Sequence, residues 1–272
     1  MRRMSPPFPK PARSRTAADA CELSVVVPAY NEAVSVRAGA VAQLLAFFDT
    51  CGRTWELIVV DDGSDDGTGE RVREAAAGRP AVRVMHTHHG GKAHALAQGL
   101  RAARGAIVLF SDMDQAIPIA EAAKLLPWFD RGFDVVIGSR GFERRHAAFS
   151  RRVISYAQLV ARYGLLGFSD IVDTQCGFKA FRRDVVASLV SRLVVYREAI
   201  DARAEGPNLS AGFDVELLYL AARSGLRIKE VAIEVDHGRR GRQASVVRDC
   251  VRGLRDLLAI RAAARRGRYE RP

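Results

Sequence analysis

The chain has 272 residues, 48% of them apolar, which excludes a disordered or fibrous protein and fits one sizeable α/β domain with tails. Of its net charge of +11, +4 falls in residues 1–20 and +8 in residues 237–272, leaving residues 21–236 at −1. A near-neutral middle argues against nucleic acid as partner, because a nucleic-acid-binding fold carries its basic stripe on the folded surface, and basic ends favour an anionic membrane surface.

In chain order, Met1 to Ala20 is basic and Pro-rich without an apolar stretch, so a disordered tail and no secretory signal are expected there. Leu23–Val27 is a β-branched strand stopping at Pro28-Ala-Tyr-Asn-Glu32, and Val36–Phe48 has helical spacing. Trp55–Val60 is a second strand running into Asp61-Asp-Gly-Ser-Asp-Asp-Gly-Thr68, followed by a helix over Gly67–Ala77. Val82–Met85 precedes the His86–Lys92 loop and a helix over Lys92–Ala103. Ala106–Phe110 precedes Asp112, a helix is expected over Ile119–Phe129, and Phe133–Ile137 precedes Gly138-Ser-Arg140. No internal repeat occurs, and no apolar run of about 18 residues predicts a spanning helix. Cys21, Cys51, Cys176 and Cys250 lack C-x-x-C spacing, which fits reduced thiols in a cytoplasmic setting.

Strands alternating with helices predict a doubly wound, mainly parallel sheet with helices on both faces. Ligands bind such sheets beyond the carboxyl ends of the strands, and Tyr30, Asp61, Lys92, Asp112 and Arg140 all follow such ends. Two common nucleotide folds are excluded: Gly90-Gly-Lys92 is followed by Ala93 rather than Ser or Thr, and no G-x-G-x-x-G follows the first strand.

Asp112-Met-Asp114 carries the most chemistry. Residues i and i+2 of an extended segment project to one side, so both carboxylates can meet one divalent cation. Mg²⁺ and Mn²⁺ prefer oxygen ligands, and a site of only two carboxylates is completed by substrate phosphates, which points to a metal-bound diphosphate. Alone, a D-x-D tripeptide is more often a solvated turn; its position among the other strand ends gives it weight.

Taken together, Pro28-Ala-Tyr-Asn-Glu32, Asp61 to Thr68, Gly91-Lys92 opening a helix and Asp112-x-Asp114 resemble the ordered motifs of family 2 glycosyltransferases of GT-A type, over about Leu23 to Val235. Asp173-Thr-Gln-Cys-Gly-Phe-Lys179 followed by Phe213-Asp-Val-Glu216 resembles the polyprenyl-phosphate branch, nearest the dolichyl-phosphate glucosyltransferases. The resemblance implies that Pro28, Tyr30 and Glu32 border the nucleoside and that Asp61, with Asp62, meets the base or ribose. It implies that Lys92 lies near the nucleotide, that Asp112 and Asp114 hold Mg²⁺ or Mn²⁺ with help from Gln115, and that Arg140, Arg151 and Ser155 surround the acceptor phosphate. It also implies UDP-glucose as the favoured donor, with GDP-mannose possible, and polyprenyl phosphate as acceptor. His89 and Ala93 depart from the family's usual Asn and Gly. Residues 193–209 form a long stretch for this branch, without an assigned role.

A phosphate monoester with a second pKa of about 6 is already anionic at neutral pH, so such an acceptor needs no strong base and direct attack inverts the anomeric carbon. The alternatives are a soluble enzyme of the same family with a hydroxyl acceptor and Asp173 or Asp214 as base, or a nucleotide-sugar-binding protein without turnover. Asp173, Asp214 and Glu216 have two readings, acid/base work or the ordering of loops. His86, His88 and His89 are read as loop residues without metal, and Cys176 as packing rather than nucleophile.

The expected organisation is a tail over 1–20, a catalytic domain over 21–236 and a basic amphipathic helix and tail over 237–272. Val247, Cys250, Val251, Leu254, Leu257 and Leu258 recur at helical spacing with arginines on mostly other faces. That stripe suits either peripheral binding at the cytoplasmic face of a membrane or packing on the catalytic domain.

Overall fold

The computed structural model describes residues 21–140, 171–197, 211–236 and 246–270. Strands β1 (Leu23–Ala29), β2 (Trp55–Asp61), β3 (Val82–His86), β4 (Ile107–Phe110), β5 (Val135–Ser139), β6 (Lys179–Arg182) and β7 (Ile228–Ala232) form one sheet in the order β3-β2-β1-β4-β6-β5-β7. Helices α1 (Ala33–Arg37), α2 (Ala40–Thr50), α3 (Thr68–Ala75), α4 (Lys92–Ala102), α5 (Ala122–Leu125), α6 (Pro127–Asp130), α7 (Arg183–Ser191), α8 (Ala211–Arg223) and α9 (Val246–Arg265) lie around it.

Strand residues alternate between two apolar layers, which is why the strands are apolar throughout. Leu23, Val25 and Val27 of β1 pack with Leu44, Leu57 and Val59 on one face, while Val26 joins Val60, Leu96, Val108 and Phe110 on the other. Both faces are therefore covered, as a doubly wound sheet requires. β1 pairs in parallel with β2 and β4, and β2 with β3, so their carboxyl ends open on one rim.

Several expected boundaries shift. Pro28 lies inside β1 rather than ending it, where pairing with β4 has already stopped at Val26. The helix expected over Val36–Phe48 is two helices, because Gly39 takes the left-handed conformation, φ 86°, between them. The helix expected over Ile119–Phe129 is a short 3₁₀ turn, Ile119–Glu121, then α5 and α6, with Pro127 opening α6. β6 is antiparallel to both β4 and β5, an exception to the parallel sheet that no strand-and-helix alternation predicted.

The C-terminal helix packs rather than standing off. Leu257, Ile260 and Ala263, with Tyr269 beyond it, are buried in the same apolar layer as Leu217, Leu218 and Tyr219 of α8. Leu254 and Leu258 remain exposed, at 46% and 50%. One helix thus has both a core face and an uncovered apolar pair.

Candidate active site

The rim is assembled by side-chain oxygens accepting from backbone N–H groups. The loop after β1 and the loop after β2 interlock: Asn31 N donates to Ser64 Oγ at 3.0 Å, Glu32 N to Thr68 Oγ1 at 2.9 Å and Ala33 N to Asp66 Oδ2 at 3.0 Å. Asp65 N returns a bond to Asn31 Oδ1 at 3.1 Å. Hydrogen bonds from Thr68 and Ala33 outweigh burial and lower the Asp66 pKa. Asn31 adopts φ 54°, a left-handed turn that Asn tolerates.

Asp61 and Asp62 are nearly buried, at 3% and 2% exposed. Asp61 accepts from Ser64 N at 3.0 Å and lies 3.2 Å from His86 Nδ1. Asp62 accepts from Gly90 N at 2.9 Å, Gly91 N at 2.8 Å and His89 Nδ1 at 2.8 Å. Both Asp62 oxygens are thus engaged with the loop that leads into α4, which makes Asp62 the holder of that loop rather than a group facing base or ribose. His89 in turn stacks on Tyr30, ring centroids 3.9 Å apart and 15° from parallel.

Lys92, first residue of α4, meets Asp112 at the end of β4, Nζ to Oδ1 2.5 Å. Burial disfavours the Lys92 ammonium, but Asp112, Asp214 and Asp114 together outweigh it and raise its pKa. Asp114 accepts from Ala116 N at 3.0 Å. Gln115 is buried in a left-handed turn, φ 51°, donating to Ser111 Oγ at 3.2 Å and Asp112 O at 2.7 Å and accepting from Ile119 N at 3.1 Å. It braces the Asp112–Asp114 turn, and its amide oxygen is directed to Ile119 N instead of to a shared ligand position.

Among the described residues no group of three or more His, Cys, Asp or Glu is placed to hold a metal ion by itself, so a divalent cation at Asp112 and Asp114 would need further oxygens from its substrate. Asp112 is 40% exposed and carries a cationic neighbour, while Gly177 lies so close that a Cβ there would be 2.5 Å from Asp112 Oδ2 and 3.3 Å from Lys92 Nζ. Only a residue without a side chain leaves that carboxylate oxygen accessible. Gly177, outside the expected site residues, belongs to it by this contact.

On the other side of the rim, Arg140 after β5 and Asp173 form a two-pronged pair, Nε–Oδ2 2.8 Å and Nη2–Oδ1 2.8 Å, with Arg140 N also donating to Oδ2 at 3.2 Å. Burial opposes ionisation of Asp173, yet Arg140 prevails and holds its carboxyl at about 2. The same pairing raises the Arg140 pKa against burial. A carboxylate so held is a poor proton acceptor at neutral pH, so the base reading of Asp173 gives way to one in which it orients Arg140. Glu230 of β7 accepts from Val172 N and Asp173 N, both at 2.8 Å, and fixes that loop. Nothing local in the sequence marks Glu230, whose partners lie 57 and 58 residues away.

Glu216 is likewise structural. It is fully buried and accepts from Val194 N, Val195 N, Tyr196 N and Tyr269 Oη at 2.7–3.0 Å, joining α8, the first part of 193–209 and the C-terminal segment. Asp214 pairs with buried Lys179 at 3.2 Å. Burial pushes the Cys176 thiol up to about 11, in keeping with packing. Arg151 and Ser155 lie outside the described residues, as does most of 193–209.

Residues 24–190 match the model for glycosyl transferase family 2. The chain belongs to that family. It is 35% identical over 234 residues to a dolichyl-phosphate beta-glucosyltransferase of Drosophila melanogaster, covering 78% of this chain and 66% of that protein. It is 29% identical over 271 residues to the Saccharomyces cerevisiae protein of the same name, covering 91% and 76%. The chain thus spans slightly under two thirds of the fly relative's length. The fold is shared with glucosyl-3-phosphoglycerate synthase from Mycobacterium tuberculosis, solved in complex with Mn²⁺, UDP and glucosyl-3-phosphoglycerate, at TM-score 0.58, 23% identity and coverage of 90% and 79%.

Proposed function

We propose that this glycosyltransferase moves glucose from UDP-glucose to a polyprenyl phosphate, inverting the anomeric carbon. The observation that carries the reading is the division of the rim: carboxylates and Lys92 gather on one side, and a guanidinium oriented by Asp173 stands on the other. Similarity to relatives named dolichyl-phosphate beta-glucosyltransferases supports the sugar and the acceptor class.

Asp112 and Asp114 would hold Mg²⁺ or Mn²⁺, which when bound neutralises charge on the departing diphosphate. Tyr30, stacked on His89, offers an aromatic surface for the nucleoside, bordered by Pro28 and Glu32, with Asp61 close by. Asp62 fixes the Gly90–Gly91 backbone and so sets where Lys92 stands. Arg140, presented by Asp173, orients the acceptor phosphate through charge-assisted hydrogen bonds, with Arg151 and Ser155 assigned to the same phosphate. The acceptor oxygen is anionic before it attacks, so positioning replaces general-base work. That suits a rim whose acceptor-side carboxylate, Asp173, holds its proton only in strong acid.

A lipid acceptor requires contact with a membrane. No helix among the described residues is long and apolar enough to cross one. The exposed Leu254 and Leu258, with Arg255, Arg261 and Arg265 on the same helix, suit peripheral docking on anionic lipid at the cytoplasmic face. Gly253 of that helix also lies beside Gln175 of the active-site loop, which brings the docking face near the rim.

The test is transfer of labelled sugar from UDP-glucose or GDP-mannose to a short polyprenyl phosphate, with Mn²⁺ or with EDTA. Metal-dependent passage of glucose label into the organic phase is expected. Label passing only to water-soluble acceptors would overturn the acceptor assignment.

A further inference from the structure

His89 is fixed twice, at a ring nitrogen and across a ring face. Its Nδ1 donates to Asp62 Oδ2 at 2.8 Å and to Asp62 O at 3.1 Å, so the imidazole is tied to both the side chain and the backbone of one residue. A carboxylate accepts and cannot donate, so the proton sits on Nδ1 and the ring's orientation is set. The main chain is close-packed there too, since a Cβ added at Gly63 would lie 2.8 Å from His89 N. The imidazole so held is nearly parallel to the Tyr30 ring, 3.9 Å between centroids and 15° between planes, and the His89 side chain is only 16% exposed. Tyr30 itself is half-buried.

We propose that His89 is a positioning residue for donor recognition: held by Asp62, it backs Tyr30 and presents the opposite face of that ring to the nucleobase. Stacked rings stabilise each other beyond the area they cover, and a platform ordered in advance spares the base the cost of ordering it. The Asp62 carboxylate also accepts from Gly90 N and Gly91 N, so one side chain sets both the base platform and the start of α4, where Lys92 stands. The Asn usual at this position in the family can bond Asp62 through its amide but has no ring to stack on Tyr30.

The inference rests on Tyr30 as a nucleoside contact, and binding separates the two. Dissociation constants for UDP and for inorganic pyrophosphate, each with Mn²⁺, are measured by calorimetry for wild type, His89→Asn, His89→Phe, Tyr30→Ala and the Tyr30→Ala/His89→Asn double variant. His89→Asn is expected to weaken UDP binding about fivefold, the scale of one aromatic pair, and to change pyrophosphate binding by less than about twofold, since only UDP carries a base. His89→Phe restores a ring and is expected to recover most of the loss. In the Tyr30→Ala background, His89→Asn should change UDP binding by less than about twofold, because its effect passes through Tyr30. Unchanged UDP affinity in His89→Asn, or equal losses for UDP and pyrophosphate, would overturn the inference while leaving Tyr30 its assignment. Tighter UDP binding by His89→Asn would do the same, by showing that the imidazole stands in the base's own place. Unchanged UDP affinity in Tyr30→Ala would remove the nucleoside reading of Tyr30 and this inference with it.

Discussion

The two sides of the rim are organised by different means. On the side proposed for the donor, Asp61, Asp62 and Asp66 spend oxygens on backbone N–H groups of their own and neighbouring loops, so the parallel strand ends are tied together by the chain itself. On the side proposed for the acceptor, Arg140 is oriented chiefly by one ion pair with Asp173, itself carried on a loop held by Glu230. Backbone bonds to buried carboxylates fix a loop's path. An ion pair fixes a side chain while leaving its remaining donors for a second anion, since guanidinium carries five. The first side is thereby organised in backbone and the second in charge.

Substitutions can break that contrast in order of size. Asp112→Asn or Asp114→Asn should lower transfer on the order of 10²–10³-fold, the scale of a lost electrostatic contact to the transition state. Steady-state assays with and without EDTA check this, and full activity in either variant would exclude the carboxylate from the metal site.

Next comes the donor-side scaffold. Asp62→Ala deprives Gly90 N, Gly91 N and His89 of their shared acceptor, and should cost about 2–4 kcal/mol of stability. Urea denaturation measures it, together with a raised KM for donor as the Lys92 loop loosens. An unchanged midpoint would mean that the loop is held by something other than Asp62.

The acceptor side should respond to pH instead. Asp173 has a folded pKa of about 2, below its ordinary 3.8, so its pairing stabilises the protein above about pH 4 and is lost as pH falls toward 2. Asp173→Asn should therefore narrow its stability gap to wild type by about 2 kcal/mol between pH 5 and pH 2. Denaturation across that range reads the effect; parallel curves would refute it. At pH 7 the same variant should raise KM for acceptor more than for donor.

The smallest effect is expected at the periphery. Leu254→Ser with Leu258→Ser should leave the melting temperature unchanged, because both side chains are exposed, and should weaken binding to anionic vesicles. Removing residues 246–272 should instead destabilise the fold, since Leu257, Ile260, Ala263 and Tyr269 lose their burial. If the two leucines alter melting but not vesicle binding, the exposed face has been misassigned.

Strand and helix alternation through Arg140, and the convergence of Tyr30, Asp61, Lys92 and Asp112 on one rim, could be read from the chain because each depends on local periodicity and on strand ends in sequence order. The family resemblance likewise rested on contiguous motifs. Chain order said nothing of β6, a strand of four residues inserted antiparallel between β4 and β5, because its pairing spans long separations. Nor could residue type distinguish the several carboxylates. Asp62 and Glu216 became scaffold, Asp173 a holder of Arg140 and Asp214 a buried partner of Lys179, while Asp112 stayed half-exposed beside Lys92. Sequence by itself determined the layered fold and the rim, since these follow from the period of apolar residues. Tertiary structure alone decided which acidic side chains stay open at the rim and which hold backbone, because that depends on the neighbours each carboxylate meets across the fold.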